Sequence, residues 1–450
     1  MITKDKELYR TFFPLLFVIA LQQLVSLAVN MADNVMLGRY TELALSGATV
    51  ANQVHFTLQN FVFGVGSGVA VLGAQYWGKQ RTEPICRITS LGLKFGLLSG
   101  ALFLAITLIT PEGVLRLFTN DEAVVQEGAR YLVIARWTYI IYAISNTLVF
   151  SLQSVETAFI GTVMSISTLC INICLNYCLI FGNFGFPELG VAGAAYATLT
   201  SRIVELIIVT VYMLFFEKKM RITLRQMLAL DFTYLKDYLK ISMPLVIAGA
   251  LWGITQAMQA SILGHIDATS IAANSIANTI ANVFMVVGMS SGSASSVTIG
   301  KTIGEGKMDK VKPYTVTLQL IFLGIGIICG VLIFALRRPI VSFYNISEET
   351  RQLTNTFLII LSVTTIGSCY EFPVQSGIIT GGGNTKYPVI VENLFMWLMV
   401  LPSAFLSAFV FHFPPLVTFC CLKSDQVFKC IPNAIYCNTY KWVHQLTRDE

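Results

Sequence analysis

Charge is what this 450-residue chain has little of: Asp, Glu, Lys and Arg together make up only 12% of it. A soluble protein of this size carries roughly twice that fraction, so an ordinary soluble domain is excluded. Polar sequence is equally short. No polar run exceeds about 25 residues, which leaves no room for a soluble catalytic domain. The four histidines, His55, His265, His412 and His444, are scattered, whereas an integral membrane enzyme would need His, Asp or Glu clustered at one face. The ten cysteines form no CxxC pair, so the common zinc and redox motifs are missing. Cys170, Cys174 and Cys178 share one stripe of a helix, where small apolar packing is the expected role rather than metal binding. GEGK at 304–307 lacks the spacing of a phosphate loop and follows no strand. An enzyme is not expected, and no cofactor or metal site is read from these residues.

What remains is apolar. Hydrophobic residues make up 55% of the chain and mean hydropathy is +0.68. About twelve runs are long enough to cross a bilayer as helices. They lie near 12–36, 45–77, 88–110, 128–150, 160–181, 190–214, 240–263, 271–300, 313–336, 352–375, 387–411 and 414–435. Strands of a membrane barrel would alternate apolar and polar residues; these runs are solidly apolar, so the expected fold is an all-α membrane protein. The first run follows Lys4, Lys6 and Arg10 but is too long for a signal peptide, and it is read as the first membrane helix.

Basic residues set the orientation. With twelve crossings both termini share one side, and that side holds about 20 basic residues against about six opposite, so the termini are expected in the cytoplasm. The segment from Lys218 to Lys240 is the richest basic loop and is expected against anionic headgroups. Net charge of +5 follows from this bias and does not indicate nucleic acid.

The chain repeats itself at an offset of about 226 positions. Gly38 recurs as Gly264, and Val50-Ala51-Asn52 as Ile276-Ala277-Asn278. Gly66 and Gly78 recur as Gly292 and Gly304. Leu117-Phe118-Thr119 with Glu122 recurs as Phe343-Tyr344-Asn345 with Glu348. Each half opens with a basic residue before a proline, Arg10 before Pro14 and Lys240 before Pro244, the pattern of proline in a first helical turn. Thr119 with Glu122, and Ser347 with Glu348 and Glu349, fit helix starts. The expected layout is an N-terminal six-helix lobe over 1–225, a basic cytoplasmic linker end over 226–240 and a C-terminal lobe over 241–450. Six helices separate the copies, so both have the same orientation and an axis along the membrane normal relates them.

Several stretches together resemble the MATE (multidrug and toxic compound extrusion) transporters. They are Asp33-Asn34-Val35-Met36-Leu37-Gly38, GAQYWGK at 73–79, LFTNDEAV at 117–124, and Asn172-x-x-x-Asn176 followed by GVAGAAYAT at 190–198. In the second half, IGKTIGEGK at 299–307 and GGGNTKYP at 381–388 are similar as well. The resemblance covers nearly the whole chain. It implies a V-shaped bundle of two six-helix lobes. It also implies export of amphipathic, often cationic compounds, driven by protons or sodium ions.

Charges at membrane depth cost several kcal/mol, so they form the short list of functional residues. Asp33 lies deep in the first run. It is either an interfacial aspartate touching water or an acid that takes up and releases a proton. The family's first-helix aspartate falls on this position, which implies cation coupling. Asn172 and Asn176 are one turn apart and face one side; they are either amides bonding between helices or, with Asp33, members of a cation-coupling site. Many family members carry Asn-x-x-x-Asp here, so Asn176 is a departure that leaves Asp33 as the main acid of this lobe and makes a two-carboxylate sodium site unexpected. Arg202 and Glu205 are spaced to neutralise each other. In the last run, Asp425 and Lys429 are spaced i, i+4, with Lys423 nearby; these charges are either structural pairs or the charged wall of a cavity. Glu371, beside Tyr370 and Pro373, is a candidate partner for a proton or a cationic substrate, while Glu392 is expected near the headgroups. Gln256 and Gln259 stand where some branches of the family carry a glutamate, and with Tyr370 they are candidate substrate contacts. Aromatics and methionines suit varied flat cations, and Met258, Met285, Met289, Trp252, Tyr139 and Phe284 are candidates, although each also fits simple packing.

The expected function is a secondary active exporter of small cationic or amphipathic molecules in the cell membrane, working as a monomer with H+ or Na+ as coupling ion. The alternative is a flippase of the same broad superfamily, moving lipid-linked sugars.

Overall fold

The computed structural model describes residues 2–264, 268–344 and 346–448; His265 and Asn345 lie outside the described residues. Helix is the one regular structure among them. The first unit of the repeat runs through α1 (Lys6–Tyr40), α2 (Glu42–Gly78), α3 (Thr82–Ile109), α4 (Pro111–Leu115), α5 (Glu122–Ala135), α6 (Thr138–Ser154), α7 (Phe159–Phe181) and α8 (Val191–Val211). A short α9 (Leu224–Leu228) leads to the second unit. That unit comprises α10 (Leu235–Gly264), α11 (Ala268–Gly304), α12 (Met308–Ser342), α13 (Glu348–Phe372), α14 (Lys386–Phe395) and α15 (Leu401–Phe405). It ends in α16 (Pro415–Lys423), α17 (Asp425–Phe428) and α18 (Cys430–Cys437).

The duplication is visible in the boundaries. α2 and α11 are both 37 residues long, and the paired starts of α3 and α12, and of α5 and α13, keep the offset of the repeat. Among the described residues, ten helical spans are long and apolar enough to cross a membrane, or eleven if the bent pair α5–α6 counts as one. The expected twelfth run, 414–435, is in three pieces, α16 to α18. Its charges at Lys423, Asp425 and Lys429 explain why no long apolar window survives there.

Two local expectations are corrected. Pro14 and Pro244 lie inside α1 and α10, not in their first turns, because the polar residues before each proline are already helical. Each proline therefore removes an interior backbone hydrogen bond. α5 is capped by Asp121, whose carboxylate accepts from the Ala123 and Val124 N–H groups, and Thr119 Oγ1 instead accepts from the Asp121 N–H at 3.2 Å. Ser347 does cap α13, accepting from Thr350 N–H at 3.2 Å.

By contacts the chain divides into Leu21–Gly249, and Met1–Ala20 together with Ala250–Glu450. The divide falls inside α1 and α10, so these units differ from the sequence halves at two helices. The core of the first unit includes Leu58, Val62, Leu132 and Ala143. That of the second includes Ile333, Phe357 and Phe419, with Phe357 and Phe419 stacked at 4.0 Å between ring centroids. Small residues let helices approach: a Cβ on Gly47 of α2 would stand 2.7 Å from the Gly128 backbone nitrogen of α5. In the second unit, Pro373 interrupts the ladder after α13, and the chain widens into a π-helical segment, Pro373–Ile379, next to Glu371.

Candidate functional site

The first unit brings Asp33 of α1 against the asparagine pair of α7. Asn176 Nδ2 donates to Asp33 Oδ1 at 2.5 Å and to Asn172 Oδ1 at 3.1 Å. Asn172 Nδ2 reaches Thr198 Oγ1 of α8 at 3.5 Å. Both asparagines are fully buried and Asp33 nearly so. Their one-turn spacing places them on the buried face of α7, while Cys170 and Cys174 are exposed and Cys178 is half-buried. Asn176 Oδ1 has no hydrogen-bond partner among the described residues. A buried carbonyl oxygen left open marks a place for a water, a proton donor or a cation.

Asp33, Asn172 and Thr198 line a cavity of about 30 Å³ together with His55, Tyr139 and Arg202. A water needs roughly 10–15 Å³ measured this way, so the cavity suits a small ion or a couple of waters and not an organic molecule. Arg202 and Glu205 form the expected pair at 2.7 Å. The guanidinium lies 5.2 Å from the centroid of the Tyr142 ring, and Thr168 Oγ1 donates to Glu205 Oε2 at 3.4 Å. His55 packs edge-on to Tyr142 at 4.9 Å, with Nδ1 unpartnered among the described residues. Tyr139, expected as a substrate contact, is buried in this wall.

The second unit gathers a different set of charges. Lys429 Nζ lies 2.6 Å from Glu392 Oε2, 3.0 Å from Asp425 Oδ2 and 3.3 Å from Glu371 Oε1. The Lys429 side chain is 3% exposed. Three carboxylates around one ammonium leave an excess of acid, so this cluster has capacity for a proton or another cation. Asn433 Nδ2 approaches Glu371 Oε2 at 3.4 Å, and its own Oδ1 is unpartnered among the described residues. Lys423 stands apart from these pairs and lies 5.8 Å from the centroid of the Phe419 ring. Tyr370 donates to Gln319 Oε1 at 2.8 Å.

Of the other expected substrate contacts, Met258 and Met289 are exposed. Gln256, Met285, Trp252 and Phe284 are half-buried. Gln259 is buried, with Nε2 3.3 Å from Met396 Sδ. Sequence reasoning placed Glu392 at the headgroups and did not single out Thr198, Asn433 or Gln319. Thr198 ends the GVAGAAYAT stretch and Asn433 lies one turn past Lys429, so helical spacing could have flagged both. Glu392 and Gln319 had no such local signal.

Comparison with known proteins follows the same lines. The family model MatE matches residues 18–178 and again 244–406, two matches that begin about 226 positions apart. The chain is 25% identical over 459 residues to the probable multidrug resistance protein NorM of Thermotoga maritima, covering 99% of this chain and 95% of the relative. It is 28% identical over 410 residues to the probable multidrug resistance protein YoeA of Bacillus subtilis, covering 87% and 84%. Its fold is similar to that of a MOP superfamily transporter from Pyrococcus furiosus, at TM-score 0.87, 18% identity and 98% coverage of both chains. It is similar also to the eukaryotic MATE transporter AtDTX14, at TM-score 0.85, 20% identity and 98% and 97% coverage.

Proposed function

Because the chain belongs to the MatE family, we propose that it is a multidrug exporter working as a secondary active antiporter, moving small amphipathic and cationic compounds outward in exchange for protons. The carrying observation is the Asp33–Asn176–Asn172 chain beside a small cavity. Asp33 is the one carboxylate among the described residues that line that cavity. An ionised carboxylate only accepts hydrogen bonds, and the Asn176 Nδ2 donation suits that state. A protonated Asp33 needs an acceptor instead, and the open Oδ1 of the same amide can serve once the amide turns over. Loading a proton thus changes which end of Asn176 faces α1, which ties ion occupancy to the packing of α1 against α7. Sodium is the second reading, because Asp33, Asn172, Asn176 and Thr198 are linked by side-chain hydrogen bonds and each carries a side-chain oxygen of the kind a hard cation takes as ligand.

The cavity is too small for an organic substrate, so substrate contacts are assigned to wider surfaces. Met258 and Met289 are the exposed candidates, and the half-buried Gln256, Met285 and Tyr370 complete the set. Glu371 and its Lys429 cluster form a second cation-sensitive centre. The chain lies in the cell membrane as a monomer, with both termini in the cytoplasm, the side favoured by its Lys and Arg distribution.

Reconstituted vesicles loaded with a cationic dye test the reading. A proton gradient imposed alone drives dye efflux, a sodium gradient imposed alone does not, and Asp33→Asn abolishes the proton-driven component. Dye efflux by Asp33→Asn at the wild-type rate would remove Asp33 from the coupling step.

A further inference from the structure

The stretch between the last span of the first six-helix set and the first span of the second is short, basic and firmly held. It begins after the span Val191–Phe216 and ends where the span at Leu235 begins, so it lies at the level where both helices leave the bilayer.

One face of the segment is fastened to the first unit. Ser90 Oγ of α3 donates to the Met227 and Ala229 carbonyls at 3.0 and 3.1 Å, and Lys94 Nζ donates to the Ala229 carbonyl as well. Arg87 pairs with Asp231 at 3.0 Å. Hydrogen bonds from Thr233 and the Arg87 guanidinium hold the Asp231 carboxyl below the usual carboxylate range, so its charge is used within the protein. Glu217 Oε2 accepts from the Met220 N–H at 2.6 Å and steadies a turn in which Arg221 takes a φ of 51°, a left-handed conformation that Arg adopts only when its surroundings enforce it. A Thr223–Gln226 capping box starts α9. Met220, Ile222, Met227 and Tyr234 face inward and are buried.

The other face is apolar and cationic together. Leu224, Leu228, Leu230 and Phe232 are 55%, 71%, 78% and 57% exposed. Lys218, Arg221 and Arg225 are exposed among them and engage no acid among the described residues. Lys236 and Lys240 continue the basic edge into α10. Large apolar side chains interleaved with basic ones, on a rigid element at the membrane surface, are the pattern of an interfacial anchor.

We propose that residues 218–232 form a docking surface for anionic phospholipid headgroups, with Leu224, Leu228, Leu230 and Phe232 in the upper acyl region and Lys218, Arg221 and Arg225 on the phosphates. The charge complementarity and the forced position between two spans select lipid over a soluble protein partner. The proposal is independent of which ion drives transport and of which way the chain faces, because the test uses membranes alike on both sides. Basic residues near an anionic surface contribute about 1 kcal/mol each, or roughly five-fold in preference per residue.

The test uses the full chain carrying Leu228→Trp, reconstituted in phosphatidylcholine with phosphatidylglycerol, with bromine on the chains of one lipid or the other. The expected result is quenching of the added tryptophan, relative to the wild-type background, that is stronger with brominated phosphatidylglycerol than with brominated phosphatidylcholine. Adding Arg221→Gln and Arg225→Gln lowers that preference by about 25-fold and keeps quenching, whereas Arg221→Lys and Arg225→Lys retain it. Dye efflux by the lysine variants verifies that the chain is folded. An added tryptophan that stays unquenched, equal quenching by both lipids, or loss of the preference on adding soluble glycerol phosphate would each overturn the proposal.

Discussion

Lys429→Met is the most discriminating change in the second unit. The side chain is 3% exposed and holds three carboxylates, at 2.6 Å (Glu392), 3.0 Å (Asp425) and 3.3 Å (Glu371). Methionine keeps much of the volume but removes the cation that touches all three. Breaking a buried pair by deleting one partner costs about 3–5 kcal/mol, because the remaining charge has neither water nor counterion. Deleting one acid is milder, since Lys429 keeps two others: Glu371→Gln should cost roughly 1–2 kcal/mol. Glu392→Gln should cost no more than about 1 kcal/mol, because its side chain is 27% exposed and water screens it. Neutralising the three buried members together, as in Glu371→Gln with Asp425→Asn and Lys429→Met, should recover most of the loss, because no deeply buried charge is then left without a partner and the more exposed Glu392 is screened by water. Helix content followed by circular dichroism through a denaturant titration, in one detergent at neutral pH, measures each stability. Wild-type stability for Lys429→Met, or a triple variant less stable than Lys429→Met, would refute the charge-balance reasoning.

Three other outcomes follow from named contacts. Asn176→Asp sets a second carboxylate against Asp33, so sodium should stimulate dye efflux in reconstituted vesicles more than it does for wild type; an unchanged response to sodium counts against an ion at Asn176. Gly128→Leu places carbon where a Cβ already stands 2.9 Å from the Gly47 carbonyl oxygen, and overpacking of that kind costs about 1–3 kcal/mol, read as a lower midpoint of unfolding with helix content retained. Asp5 accepts from Tyr314 at 2.7 Å and pairs with Lys310 at 2.7 Å; these contacts hold its carboxyl well below the usual range. A depressed folded-state value means the contribution is complete above about pH 4 and is lost only as pH falls further, so the stability gap between wild type and Asp5→Asn should stay constant from about pH 5 to pH 8 and close on strong acidification.

The scaffold was legible in the sequence because its signals are local and repeated. Apolar run length marks spans, and the recurrence of Gly66 and Gly78 at Gly292 and Gly304 falls within two helices of equal length, α2 and α11. The Asn172–Asn176 spacing foretold a shared helix face, and that face is the one turned to Asp33. What stayed hidden depends on contacts between distant helices. Glu392 reads as a headgroup residue when its distance from a helix start is counted, yet α14 carries it to Lys429, 37 positions further along the chain. Pro14 and Pro244 were misplaced because the residues before them are polar enough to look like loop, and helix propensity with neighbouring packing overrides that appearance.

The unequal charges are what distinguish the two copies of one frame. In the first unit, an aspartate meets an amide pair that also reaches a threonine, and the arginine that lines the same cavity is already bonded to Glu205. In the second unit, an ammonium sits inside its own cluster of acids. A site of the first kind changes its net charge by one when it gains a proton, with no free cation beside it to compensate. A site of the second kind can pass a proton among its acids while Lys429 keeps the group bound together. The first therefore responds most sharply to ion occupancy, and the second tolerates a change of protonation or the approach of a cationic solute without losing its packing. On this argument the coupling step proposed above is assigned to α1 and α7, and the buried group of Glu371, Asp425 and Lys429 is proposed as the centre whose charge balance a cationic solute would shift.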